Sequence, residues 1–375
     1  MLKRKITIVF FIGGIFLLLT QCKKKSNEEL DQDHSFDKAA MLSNIGENII
    51  LPAYDQLKSA VDSLHESADA FIKNPSVSSL QITQQRFLNA YVRYESASIF
   101  EFGPADAELF RGSVNIFPCD TNKINSKIAA GNFDIATVSD LDVKGFPALD
   151  FLLFGSSNNE VILSKYTSAV NATNARIYLQ TLIADLKYKT DVIHKGWDVN
   201  HGNYITKFKN NLGSSVGSSL GLLINQFNYD YENLKNARIG IPSGKKSMGT
   251  VFPNKVEAFY SGKSLMLAIE QLKSIENIYL GRDAKGNDGL GFDDYLAALK
   301  TQHPSGPLNE VIKNKILSAK SKLAAIQPPL SQAILTNLAS VDAAYTEIFQ
   351  LTVLIKVDMP SAFGVMITYE DNDGD

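Results

Sequence analysis

An all-α fold of two packed helical bundles is predicted by three features of the sequence. Apolar residues recur at intervals of three and four through most of the chain, as one buried face of a helix requires. Strand-like alternation is scarce, the late run Val365-Met366-Ile367-Thr368-Tyr369 being the one segment that could pair as β. Proline and glycine breaks cut the helical stretches into pieces of bundle length.

The first helix is marked from Ile45 by Ile49, Leu57, Val61, Leu64, Ala68 and Phe71. Pro52 cannot donate to the carbonyl of Asn48 and should kink it. Asn74-Pro75-Ser76 ends it, and a second helix follows through Phe87, Leu88, Tyr91, Val92 and Ile99 to a stop near Gly103-Pro104. Residues 110–142 read as an irregular excursion with at most short helices, a length more often functional than idle. A short helix after Gly145 and a longer one through Tyr178, Leu182, Leu186 and Ile193 complete a first bundle over 38–200.

A second bundle is expected over 201–375. Its first helix, 204–234, places Gly213, Gly217 and Gly221 four apart on one face, where another backbone should pack closely. Two more helices are expected at 255–279 and 308–325, around a loop holding Gly281, Gly286, Gly289 and Gly291. The last has a seam at Ile334, Leu338, Val341, Tyr345, Ile348 and Ile355 and stops at Met359-Pro360. The layout is open to pseudo-symmetry, although no residue-level repeat is present.

The amino terminus carries Lys3, Arg4 and Lys5, then an apolar run from Ile6 to Leu19, too short for a bilayer span of ~20 residues. Cys22 follows directly, so residues 1–21 read as a signal peptide and Cys22 as a lipidated first residue. Gln21 departs from the small residue usual before such a cysteine, and an ordinary signal or an uncleaved anchor is the alternative. Residues 22–37 are polar and read as a flexible tether. Export to a bacterial envelope, periplasmic or surface-exposed, follows from this reading, with the membrane as a partner through Cys22. A net charge of −3 and a pI near 6.0 give no electrostatic footprint for nucleic acid. With Cys22 acylated, Cys119 is the one remaining thiol, so neither an intrachain disulfide nor a cysteine-rich metal cluster can form.

Several segments, in order from about residue 41 onward, together resemble the imelysin family of bacterial extracytoplasmic proteins, also grouped as M75 peptidases. They are Leu51-Pro52-Ala53-Tyr54, Phe102-Gly103-Pro104, the run from Gly145 to Gly155, Val256-Glu257-Ala258-Phe259-Tyr260-Ser261-Gly262, Tyr279-Leu280-Gly281 and the closing Asp371-Asn372-Asp373-Gly374-Asp375. The resemblance implies a two-bundle helical fold with a functional cleft between the halves, and an association with iron-regulated uptake. It also implies a Gly-x-His-x-x-Glu motif supplying metal ligands. Here the motif stretch reads Gly145-Phe146-Pro147-Ala148-Leu149-Asp150, with proline for the histidine and aspartate for the glutamate.

Proline has no ligand atom and suits the first helical position, which would put Asp150 in a first turn where the helix dipole favours an anion. A catalytic zinc site needs three protein ligands, an open position and a base, so the altered motif argues against a metallopeptidase. The ligand is expected in a cleft bordered by the Gly145–Asp150 turn and the Phe102–Pro104 turn, with Tyr260 nearby, where Glu101 and Glu257 could join Asp150 unless they are only solvated charges. Asp371, Asp373 and Asp375 resemble the start of a calcium loop without its distal ligand. The expectation is a lipid-anchored binding protein for iron, another divalent metal or haem, with metal or haem uptake components as partners. An M75-type peptidase and a protein-binding envelope scaffold are the rival readings.

Overall fold

Apolar spacing becomes helix through most of residues 36–368, the residues described by the computed structural model. The signal segment, Cys22 and the tether up to residue 35 lie outside them, as do Tyr369, Asp371, Asp373 and Asp375. Phe36 stacks on Tyr295 at 4.8 Å, and the Asp37 carboxylate caps helix α1 (Lys38–Asn44) by accepting from the Ala40 N–H at 2.8 Å.

A π-helical turn (Ile45–Ile50) joins α1 to α2 (Leu51–Lys73), so the chain passes Pro52 in a widened turn. Ser76 and Ser79 form the reciprocal cap that starts α3 (Val77–Ala97). The 110–142 excursion contains short helices, Phe110–Val114 and Thr121–Ala130, then a 3-10 turn, Val138–Val143. Helices α4 (Gly145–Phe154) and α5 (Ala172–Trp197) follow. The helix expected over 204–234 is broken into Tyr204–Asn210 and α6 (Ser219–Asn233), with a loop between. Gly213 and Gly217 fall in that loop. Gly221 alone meets a close backbone, for a Cβ there would stand 2.2 Å from the Ser215 carbonyl oxygen. The approach comes from the chain's own loop, not from a second helix.

The helix expected from 255 begins only at Ser264 (α7, Ser264–Tyr279), because residues 256–262 form a turn that serves the site below. Helix α8 (Leu308–Ala324) follows a two-residue hairpin of β1 (Gln302–His303) and β2 (Gly306–Pro307). The final seam is shared by Leu330–Thr336, α9 (Leu338–Phe349), a π-turn (Leu354–Asp358) and Met359–Phe363. Residues 365–368 form no strand. Asn225 takes the partner's place there, accepting from the Thr368 N–H at 2.7 Å and donating to the Met366 carbonyl at 3.0 Å.

Helix α2 packs on α3 and α5, α8 packs on α7 and α9, and α3 meets α7 across the two halves. One continuous apolar cluster fills all of these interfaces, and the position 200/201 lies in the turn between α5 and Tyr204–Asn210. The fold is all-α apart from the small hairpin.

Candidate functional site

The altered motif opens α4. Gly145 has φ +71°, and a Cβ there would lie 2.1 Å from the Val114 carbonyl oxygen, so only glycine admits this contact. Because the helix starts at Gly145, Pro147 is its third residue rather than its first. Its missing N–H still costs nothing, since first-turn donors have no intrahelical acceptor. The Val143 carbonyl, four residues back, accepts instead from the Tyr178 hydroxyl at 2.9 Å.

Asp150 therefore sits in the second turn, beyond the strongest reach of the helix dipole, and does not cap its own helix. It is 1% exposed and points at the 256–262 turn, where the Tyr260 and Ser261 N–H groups donate to it at 2.8 and 3.2 Å. Burial pushes its carboxyl up to about 6 against the opposing pull of these bonds. Two backbone donors held by one buried carboxylate clasp the first half of the chain to the second.

Beside the clasp is a cleft with about 290 Å³ of empty space, open solvent included. Phe117, Pro118, Cys119, Pro147 and Asp150 line it from the first half, and Asn254, Val256, Ala258, Phe259 and Tyr260 from the second. Burial pushes the Cys119 thiol up to about 12, which keeps it protonated and a poor nucleophile.

Of the residues singled out in the sequence, Pro147, Asp150 and Tyr260 meet here, while Gly145 packs against Val114 and does not line the cleft. Glu257, Glu101 and Pro104 do not line this cleft. Pro104 begins a short helix, Pro104–Ala107, and packs over Gly196, while Phe102 lies against Trp197 and Phe208. Glu101 accepts from the Arg111 N–H at 2.9 Å, and burial raises its carboxyl above the ordinary range.

Glu257 turns inward to a charge network that sequence reasoning missed. Arg238 reaches Glu95 at 2.7 Å with Nη2 and Glu257 at 2.5 Å with Nη1. Exposure is 4% for Arg238, 0% for Glu95 and 1% for Glu257. Asn115 donates to Glu257 at 2.7 Å, with the Tyr91 hydroxyl 3.0 Å away. Burial holds Glu95 well above the usual carboxylate range and does the same, less strongly, to Asp230. A signal for this network existed. Glu95 extends the stripe Phe87-Tyr91 by four, and Arg238 extends Phe227-Tyr231-Leu234 by four, so both put charge on an apolar face.

The histidines flanking Trp197 are held by separate carboxylates, His194 by Asp55 at 2.7 Å and His201 by Asp198 at 3.3 Å. Among the described residues no three His, Cys, Asp or Glu side chains converge as metal ligands. The motif turn offers one carboxyl, already engaged by two N–H groups, and this donor set does not fit a protein-held metal.

The fold and this turn together define a class of helical protein with a motif cleft where the halves meet. The family model for imelysin, Peptidase M75, matches residues 50–355, and the chain belongs to the imelysin family. It is 22% identical over 297 residues to iron-regulated protein A of Synechococcus elongatus, covering 78% of this chain and 76% of that one. Two crystal structures share the fold. One, of a protein named as an iron-regulated protein A precursor from Parabacteroides distasonis, has a TM-score of 0.71 at 21% identity, over 87% of this chain and 95% of that one. The other, an imelysin-like protein from Psychrobacter arcticum, has a TM-score of 0.64 at 17% identity, over 88% and 97%.

Proposed function

We propose that this chain is an exported envelope protein of iron acquisition that binds, rather than cleaves, its ligand. It is anchored through Cys22 and hands its cargo to uptake components in the same envelope. The cargo supplies its own iron coordination, as haem or a small iron chelate does. It seats against the cleft lined by Phe117, Pro147, Phe259 and Tyr260. The observation that carries this reading is the engagement of Asp150. With both oxygens facing the Tyr260 and Ser261 N–H groups, the motif turn presents aromatic and apolar surface, not a multidentate set of ligands. The iron-regulated names of the similar proteins support the iron link, and "precursor" in one of them supports export.

The test is a titration of the full mature chain with haemin, ferric citrate and free Fe²⁺, beside Tyr260→Ala. Micromolar binding of haemin or the chelate, weakened in the variant, is the expected result. Indifference to all three would overturn the proposal. Stoichiometric free metal that disappears in Asp150→Ala would replace it with a metal site at the motif.

A further inference from the structure

A second cleft, built from different residues, lies where α2 and α3 of the first half face α7 of the second. It has about 510 Å³ of empty space, open solvent included. Arg93 of α3 lines it, partly buried, and no acceptor is bonded to its guanidinium among the described residues. The side-chain amides of Gln56 on α2 and Asn277 on α7 line the same space, also without hydrogen-bond partners there. Lys273 adds a second cation. The single acid, Glu270, is already engaged, accepting from the Ser96 hydroxyl at 2.9 Å and lying 3.6 Å from Lys273. Ile49, Ala53 and Phe100 supply an apolar side. Ile49 belongs to the π-turn before α2, and such turns are frequent at functional sites.

We infer that this cleft binds a small organic carboxylate with a short apolar tail. A partly desolvated guanidinium with no protein acceptor is the planar fork that a carboxylate matches in two bonds. The Gln56 and Asn277 amides in the same lining supply further donors, as ligand sites with a few polar groups among apolar ones do. Glu270 leaves the lining with a net charge of only +1, which disfavours a compact dianion such as phosphate. The apolar side gives an aliphatic tail a place to bury surface. Because the lining comes from α2, α3 and α7, an occupant also ties the two halves together.

Isothermal titration of the full mature chain with sodium isovalerate, inorganic phosphate and sulfate tests the assignment. Isovalerate should bind saturably at one site and more tightly than either inorganic anion. Arg93→Gln should weaken it at least about tenfold, the loss of one charge-assisted hydrogen-bonding partner. Arg93 has no partner to strand, so the variant should melt as the wild type does. Gln56→Leu, which leaves every charge in place, should weaken the same ligand by a smaller factor. Lys245→Gln, which breaks a surface pair with Asp342, should change nothing. Absence of saturable isovalerate binding, phosphate binding as tight as isovalerate, or an affinity unchanged in both Arg93→Gln and Gln56→Leu would each overturn the assignment.

Discussion

Arg238→Met removes the only side-chain cation among the described residues within ion-pair reach of both Glu95 and Glu257, at 2.7 and 2.5 Å. Methionine fills similar volume without charge, so the change isolates electrostatics from packing. Breaking a buried ion pair by deleting one partner costs about 3–5 kcal/mol, because the other charge stays buried and unpaired. Residues 36–368 unfold with an entropy of about 0.7 kcal/mol/K at ~2.1 cal/mol/K per residue, so the melting temperature should fall by about 4–7 °C. The loss should shrink in acid. Burial raises Glu95, so its contribution to stability is present at low pH and is lost as pH rises through its folded value. Melting followed by circular dichroism at pH 8 and pH 5 reads both effects. The triple variant Glu95→Gln, Glu257→Gln, Arg238→Met should recover at least half of the loss at pH 8, since no charge is then stranded. A drop below about 1 °C at pH 8, or a triple variant melting lower than the single, would refute the reasoning.

Asp150→Asn tests the clasp through pH. The carboxyl is raised from 3.8 to about 6, so its share of stability is complete below about pH 4 and is lost as pH rises through 6. At 1.36 kcal/mol per unit that is about 3 kcal/mol, and the wild type should gain roughly that much on the Asp150→Asn variant between pH 8 and pH 4 in denaturant titrations. Equal pH dependence in the two proteins would count against a buried, desolvated carboxyl. The glycine row offers a paired test by melting. Gly221→Ala drives a Cβ into the Ser215 carbonyl and should lower stability by about 2 kcal/mol or more. Gly217→Ala meets nothing within 4 Å and should be neutral or stabilising by up to about 1 kcal/mol.

The helices were legible wherever one apolar face persisted, as in α2, α3, α5 and α8. Local conformations that answer to a distant partner were not. The start of the helix expected at 255 was misplaced because residues 256–262 have apolar and helix-compatible composition, yet are drawn into a turn by Asp150, over 100 positions away. Likewise Ser218 caps α6 through the Gly221 N–H, and that cap ends what the spacing alone would continue. In the site, Pro147, Asp150 and Tyr260 come together, whereas the Phe102–Pro104 turn expected to border the same cleft packs against Trp197, Phe208 and Gly196 instead. Glu257 was found, but its direction was not, because the residue that claims it, Arg238, lies in the separate helical turn Leu234–Gly240, distant in sequence from both carboxylates.

The prolines show how these buried side chains are reached. Leu51, Ile241 and Met359 each precede a proline, and each donates its N–H five residues back, to Gly46, Asn236 and Leu354. A proline in an α-helix clashes with the carbonyl four residues earlier. Widening the turn before it relieves that contact without ending the helix. The expected kink at Pro52 is thus taken up as a π-turn, and the same solution recurs at Pro360, whereas before Pro242 the widened turn Leu234–Gly240 is where the helix ends. Two of the three widened turns supply side chains to the features described above: Ile49 lines the Arg93 cleft, and Arg238 lies within the turn Leu234–Gly240. The pattern therefore ties a local steric problem to the placement of a ligand cleft and of the central cation.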